Sequence, residues 1–384
     1  MVANPPLALY VHIPWCVRKC PYCDFNSHQK PASAALPEER YVEALLADLD
    51  LDLPSVQGRM LSSVFIGGGT PSLFDPGTVH TLLRGIRERL ACADDLEVTL
   101  EANPGTIEHG RFAGYREAGI NRVSLGVQSF ATAQLATLGR IHSPEDVVRA
   151  VEELQAAGLA NFNLDLMYGL PEQSPAEALA DVRSALALSP THLSLYQLTL
   201  EPGTVFHHRP PQGLPDDEAT WEMQTICQAA LRDSGFEQYE VSAYARTGHR
   251  CRHNVNYWKF GDYLGIGAGA HGKLTDPATG AVRRTLREKQ PGTYLSRHAQ
   301  SRMQETRIAT AEIPFEFMLN ALRLRQGFTL RDFEVHTGLG AELLSPKLSQ
   351  ALDRQLVETD GAGTWWPSAL GWRFLNDLQG LFLS

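Results

Sequence analysis

Long apolar runs, a surplus of basic charge and paired cysteines are all missing from this 384-residue chain. No stretch of about 18 consecutive apolar residues occurs, so no membrane-spanning helix is expected. Lys and Arg number 34 against 44 Asp and Glu, a formal charge of -10. That balance argues against a general nucleic-acid or anionic-membrane surface, with Arg246 to Arg252 as one local basic candidate. The N-terminal Met-Val-Ala-Asn-Pro-Pro lacks the basic and apolar regions of a signal peptide. Of the six cysteines, Cys92, Cys227 and Cys251 are scattered and three are clustered, which is no disulfide framework. A reducing, cytoplasmic setting is therefore expected, and the 43% hydrophobic content implies a packed globular chain.

The clustered cysteines lie in Cys16-Val17-Arg18-Lys19-Cys20-Pro21-Tyr22-Cys23, a C-x3-C-x2-C spacing just after the apolar run Leu7 to Ile13. Thiolates suit zinc and iron–sulfur clusters. Three of them leave a four-iron cubane one ligand short, so one iron stays open to another molecule. Zinc, or a loose redox pair, is the plainer reading of the triplet alone. The spacing resembles the radical S-adenosylmethionine (SAM) superfamily. That resemblance implies a 4Fe–4S cluster on Cys16, Cys20 and Cys23, with SAM on the fourth iron and cleaved by one electron to a 5′-deoxyadenosyl radical.

A βα rhythm fills the first half of the chain. Strands are expected over Leu7 to Ile13, Leu61 to Ile66, Leu96 to Glu101, Val123 to Val127, Asn161 to Met167 and His192 to Leu198. Helical spacing of apolar residues marks Pro37 to Leu53, Pro76 to Leu90, Thr106 to Ala118 and Pro175 to Leu188, with a helical region from Ala131 to Ala157 broken near Ser143-Pro144. The alternation predicts an α/β fold with a parallel sheet, an open sheet or a partial (βα)6-type barrel. Reactive residues should gather at the C-terminal strand ends, where Gly68, Glu101, Gln128 and Asp165 fall.

After a linker at 207–217, a long helix is expected over Asp217 to Gly235 and a strand over 235–241. Residues 1–300 are read as the first domain, with 207–290 its extension, and 301–384 as a smaller, mostly helical one. Helices over Phe315 to Arg325, Leu330 to Thr337 and Leu343 to Leu356, a hairpin over Val357 to Trp366 and a last helix over Ala369 to Leu383 resemble a winged-helix module. Its third helix carries only Lys347 and Arg354 as cations, so a packing or lid role is preferred to DNA binding.

Gly67-Gly68-Gly69-Thr70-Pro71 lacks the Lys-Ser/Thr ending of a phosphate loop. Glycines at a strand end admit close approach of another molecule, which suits the amino-acid end of SAM. Tyr-Val-His-Ile-Pro-Trp-Cys, Gly-Gly-Gly-Thr-Pro-Ser, Glu101-Ala-Asn-Pro-Gly, Gly126-Val-Gln-Ser-Phe, Gly139-Arg-Ile-His and Asp165-Leu-Met-Tyr-Gly-Leu-Pro follow in order. Together they resemble the family of oxygen-independent coproporphyrinogen III dehydrogenase and the HemW haem chaperones. The resemblance implies that Tyr10, Gly68 and Glu101 touch cluster-bound SAM. It assigns further SAM contacts to Tyr22, Gly69, Thr70, Gln128, Arg140 and Asp165, whether for one SAM or two. The plainer alternatives are helix capping for Glu101 and Asp165 and a surface ion pair for Arg140. His12 and Tyr196 are read as core or wall residues.

Two features separate the relatives. The dehydrogenases carry a further cysteine two places after the triplet, where this chain has Phe25. His253-Asn254-Val255-Asn256-Tyr257-Trp258 matches the HNxxYW motif associated with the haem chaperones. Imidazole is a good haem ligand and aromatics stack on porphyrins, so His253 is a haem candidate, against a plain core histidine. Cys251 and His271 are weaker candidates for a second ligand. The resemblance thus implies haem transfer to an acceptor protein, with an electron donor such as a flavodoxin or ferredoxin and no nucleic acid. Coproporphyrinogen dehydrogenation is the alternative, and no catalytic residue is assigned.

Overall fold

The computed structural model describes residues 5–30, 35–56, 58–105, 110–297 and 303–383. Its strands begin with β1 (Leu7–Ile13), β2 (Trp15–Cys16), β3 (His28–Gln29), β4 (Leu61–Gly68), β5 (Cys92–Ala102) and β6 (Arg122–Gln128). They continue with β7 (Phe162–Tyr168), β8 (His192–Gln197), β9 (Glu237–Gln238), β10 (Ala243–Ala245), β11 (Asp262–Ile266) and β12 (His271–Thr275). The last are β13 (Val282–Arg287), β14 (Met303–Arg307), β15 (Phe328–Thr329), β16 (Val357–Thr359) and β17 (Thr364–Pro367).

Twelve strands form one sheet in the order β14-β13-β12-β11-β1-β4-β5-β6-β7-β8-β10-β9. From β11 to β8 every pairing is parallel, and the flanking strands add antiparallel. Among the described residues the sheet has two unjoined ends, with no pairing between β14 and β9. It is curved all the same, because inward side chains from β1 and β4 through β8 reach one cavity. The six strands expected from the sequence are β1 and β4 to β8. A seventh parallel strand, β11, is not among those expected; it pairs with β1 from Leu7↔Asp262 to Val11↔Ile266. Of the strand expected over 235–241 only the two residues of β9 form a strand, and β10 follows beyond it at Ala243–Ala245.

Local chemistry starts the crossover helices. Pro76, Pro144 and Pro175 each occupy a first helical position, where their missing N–H is no loss. Ser143 and Ser174 close reciprocal capping boxes with Asp146 and Glu177. The first of these explains the break near Ser143-Pro144: Thr132–Thr137 and Pro144–Ala156 are separate helices. The helix expected from Thr106 begins instead at Arg111 and runs to Ala118, because Gly110 before it takes a left-handed φ of 87°; residues 106–109 lie outside the described residues. Leu45, Leu49, Leu82 and Ile86 on the helices pack with Leu9, Val11, Val64 and Leu100 on the strands in one continuous core. Each fully buried aliphatic side chain there is worth about 1.5–3 kcal/mol.

The smaller C-terminal domain has its own core around Phe317, Met318, Leu322, Phe333 and Leu348. Helices Ile313–Ala321, Leu330–Thr337 and Ser345–Asp353 precede the β16–β17 hairpin, which pairs with β15. The single helix expected at the end is two, Ala369–Arg373 and Leu375–Gly380, because Phe374 between them leaves helical geometry at φ -112°, ψ 47°. Phe260 and Val282, from the chain's first part, belong to this second core. The boundary expected between 300 and 301 lies outside the described residues. The candidate basic patch is neutralised: Arg250 pairs with Glu237 at 3.3 Å and Arg252 with Asp95 at 2.8 Å. Arg246 lies over the Phe236 ring at 4.7 Å.

Candidate functional site

Inside the curve of the sheet lies a cavity of about 650 Å³. The residues assigned from the sequence to cluster and SAM, and the first haem candidate, all line it: Cys16, Cys20, Cys23, Tyr10, Tyr22, Gly68, Gly69, Thr70, Glu101, Gln128, Arg140, Asp165 and His253.

The cysteine loop leaves β1 and is held at both ends. β2 and β3 pair within it, Cys16 opposite Gln29. The Asn26 amide donates to the carbonyls of Ala268 and Lys289, both at 2.9 Å. The glycine run is stapled to the same loop, with Gly69 N donating to Ile13 O at 2.7 Å and Thr70 N to Trp15 O at 2.8 Å. That proximity requires glycine. A Cβ on Gly68, whose φ is +113°, would sit 2.5 Å from the His12 ring, and one on Gly69 would sit 2.6 Å from Trp15 O. His12 itself is buried, bonded to Tyr10 Oη at 3.1 Å and Asn26 O at 2.9 Å, while Tyr196 is half-exposed on the cavity wall.

All six cysteines are unpaired. Burial pushes the Cys16 and Cys23 thiols up, so a metal would have to displace their protons. Arg140 brings a guanidinium N–H to 3.5 Å from Cys20 Sγ. Arg140 also donates to Asn103 Oδ1 at 2.5 Å and Gly126 O at 2.7 Å, and Asn103 reaches Thr70 Oγ1 at 3.0 Å. Among the described residues, no three His, Cys, Asp or Glu side chains converge on a single ion. A cubane takes each thiolate on a different iron, so its ligands need no common point. The donor set therefore fits an iron–sulfur cluster better than one zinc ion.

Above the sheet, Glu101 accepts from Gly68 N at 3.0 Å. Burial and the nearby Asp165 charge push its carboxyl up to about 7, against the Gly68 bond that pulls it down. Gln128 ends β6 at a register shift and adopts φ 71°, a left-handed conformation unusual for a non-glycine residue. Asp165 departs from expectation: it is the fourth of seven residues in β7, mid-strand and not at its end. It still faces the cavity because alternate residues share a face, and Asn163, Asp165 and Met167 line it together. Asn163 donates to Asp165 Oδ1 at 2.8 Å and to Ser124 Oγ at 2.7 Å, while Ser124 donates to Asp165 Oδ2 at 3.1 Å.

At the other end, the helix Arg252–Trp258 closes the cavity. His253 is buried, its Nδ1 lies 3.3 Å from Ser63 Oγ, and its Nε2 has no partner among the described residues. Phe65 stacks on it at 5.1 Å and Tyr257 meets it edge-on at 5.0 Å. Burial, then the Arg122 charge, pushes the imidazole down to about 3, so it is neutral at physiological pH. Neither proposed second ligand is there. Cys251 is fully buried with its Sγ 3.7 Å from Glu97, and His271 is exposed on β12; neither lines the cavity. Asn103, Arg122, Ser124, Asn163, Trp258 and Arg323 line it without having been assigned. The period-2 pattern around Asp165 could have flagged Asn163; Arg323, from the other domain, has no such signal.

Comparison with known proteins agrees with this site. Residues 10–185 match the radical SAM superfamily model and 308–374 the HemN C-terminal domain model. Heme chaperone HemW of Escherichia coli is 48% identical, covering 100% of both chains. Heme chaperone HemW of Haemophilus influenzae is 47% identical over 99% of this chain and 98% of its own. The solved structure of E. coli coproporphyrinogen III oxidase (HemN) aligns with a TM-score of 0.81 at 22% identity, covering 99% of this chain and 90% of that one. That likeness establishes the fold, a radical SAM α/β sheet with a smaller helical domain. The radical SAM domain implies SAM and a 4Fe–4S cluster, and no described helix is long and apolar enough to cross a membrane. Full-length identity, together with a cysteine triplet and an HNxxYW helix facing one cavity, makes this chain a member of the HemW heme chaperone family.

Proposed function

We propose that this protein binds haem in the cavity and passes it to an acceptor protein, with a 4Fe–4S cluster on Cys16, Cys20 and Cys23 and SAM beside it. One observation carries the reading: a buried, neutral imidazole with a free Nε2 lines the same cavity as three unpaired thiols. Neutral imidazole is the form that ligates haem iron. Phe65 and Tyr257 offer ring faces and edges on either side of it.

Tyr10, Gly68 and Glu101 contact the cluster-bound SAM in this reading, and Tyr22, Gly69, Thr70, Gln128, Arg140 and Asp165 complete its shell. The short path from Arg140 to Cys20 and the Glu101–Gly68 bond support these roles. When bound, cluster and SAM supply one-electron chemistry. The chain's own residues hold them, and Glu101 exchanges a proton near neutrality. Arg18 and Lys19 stand exposed beside Cys20, which suits an acidic electron donor such as a flavodoxin or ferredoxin. Residues 1–300 and 301–384 act as the two domains, supported by two separate cores, and unpaired cysteines suit the cytoplasm.

The test is anaerobic reconstitution with iron and sulfide, then haem titration followed by absorbance on wild type and His253→Ala. About one haem per chain, weakened tenfold or more by the substitution, is the expected result. Absence of haem binding with SAM-dependent consumption of coproporphyrinogen would replace the chaperone by the dehydrogenase.

A further inference from the structure

Buried polar atoms without partners are uncommon in folded proteins, and each asks for a reason. Four of those in this protein belong to residues lining one cavity: Arg122 Nε, His253 Nε2, Trp258 Nε1 and Arg323 Nε. Two are guanidinium nitrogens. Arg122 opens β6 and is 2% exposed. The nearby acids do not hydrogen-bond it: Asp165 accepts from Asn163 and Ser124, and Glu97 accepts from the Arg252 backbone at 2.9 Å. Glu97 and Asp165 stand close enough to act on its charge, yet its Nε donor is unmet. A buried guanidinium is costly unless its donors are met, and a ligand carboxylate in the cavity that Arg122 lines can supply the missing acceptor.

Arg323 comes from the C-terminal domain. It donates to Glu240 at 3.1 Å and covers the Trp258 ring at 4.2 Å, leaving Nε free. Three carboxyls also line the cavity, Glu101, Asp165 and Glu240, the last already paired with Arg323. A ligand carboxylate is repelled there and drawn to the two arginines.

We propose that Arg122, from the strand wall, and Arg323, from the C-terminal domain, bind the two propionate carboxylates of the tetrapyrrole at the His253 end of the cavity. The inference rests on the haem reading above and adds to it an orientation: propionates toward the arginines, vinyl edge toward the acidic wall. It also makes the C-terminal domain part of the site.

The test compares iron protoporphyrin IX with its dimethyl ester, which keeps ring and iron but removes both negative charges. Both are titrated into wild type, Arg122→Gln and Arg323→Gln, with thermal melts as a fold control. The free acid should bind wild type about tenfold to a hundredfold more tightly than the ester. Either substitution should shrink that ratio by weakening the free acid and leaving the ester unchanged. Equal wild-type affinity for acid and ester overturns the inference while leaving the haem reading intact, and it decides the matter even if a variant fails to fold. No binding of either compound to wild type overturns the haem reading itself.

Discussion

Replacing Glu101 by Gln should change how the stability of the cluster-free, reduced protein depends on pH. In the folded chain this carboxyl is pushed from its ordinary 4.5 up to about 7. A raised acid is protonated in the folded state over a range where the unfolded chain has ionised. Its contribution is therefore fully present below about pH 4.5, is lost as pH rises, and is gone above about pH 7. The full loss is about 3 kcal/mol, of which about 2.5 kcal/mol falls between pH 5 and pH 8. Glutamine keeps a carbonyl oxygen for the Gly68 N–H but cannot ionise. Urea unfolding at pH 5, 6, 7 and 8 should show Glu101→Gln gaining about 2.5 kcal/mol on wild type across that range. His12 and His142, both pushed down to about 4 by burial, contribute the opposite slope, but equally in the two proteins. Parallel profiles, with a constant difference from pH 5 to pH 8, would refute the account of Glu101 as a desolvated carboxyl beside a second acid.

Two further substitutions separate cofactor loss from unfolding. Cys20→Ala removes a half-buried thiol, so the visible absorption of the reconstituted cluster should disappear while urea stability changes by under about 1 kcal/mol. Gly68→Ala forces a Cβ at φ +113° to within 2.5 Å of the His12 ring, and should cost about 2–4 kcal/mol of stability by the same melts.

Most of the parallel sheet was legible in the sequence because its strands are apolar runs bounded by turn signals and its helices begin at Pro and Ser caps. β11 escaped because Gly265 interrupts a five-residue strand whose meaning comes only from pairing with β1. The final helix escaped because its apolar pattern runs through Phe374, where the backbone breaks. The residues that the motifs assign to cluster and SAM lie far apart in sequence, yet all of them line one cavity. Asp165 was placed at a strand end, although only its alternation matters for facing inward. Cys251 was proposed for its nearness in sequence to His253, yet two residues along the chain turned it toward Glu97 and away from the cavity. Arg122 and Arg323 carry no local signal, since their place depends on long-range contacts.

The sharing of Phe260 and Val282 between the two halves of the chain bears on how the protein can be handled. A fragment ending near residue 300 would keep every residue proposed for cluster or SAM, yet it would bare the Phe260 and Val282 side chains and strand the buried Glu240 without Arg323. Such a fragment would self-associate, and its cavity would open to water on one flank. Modular in sequence, the protein is indivisible as an object, and shuffling its C-terminal domain among relatives would require carrying the 240–282 segment along with it.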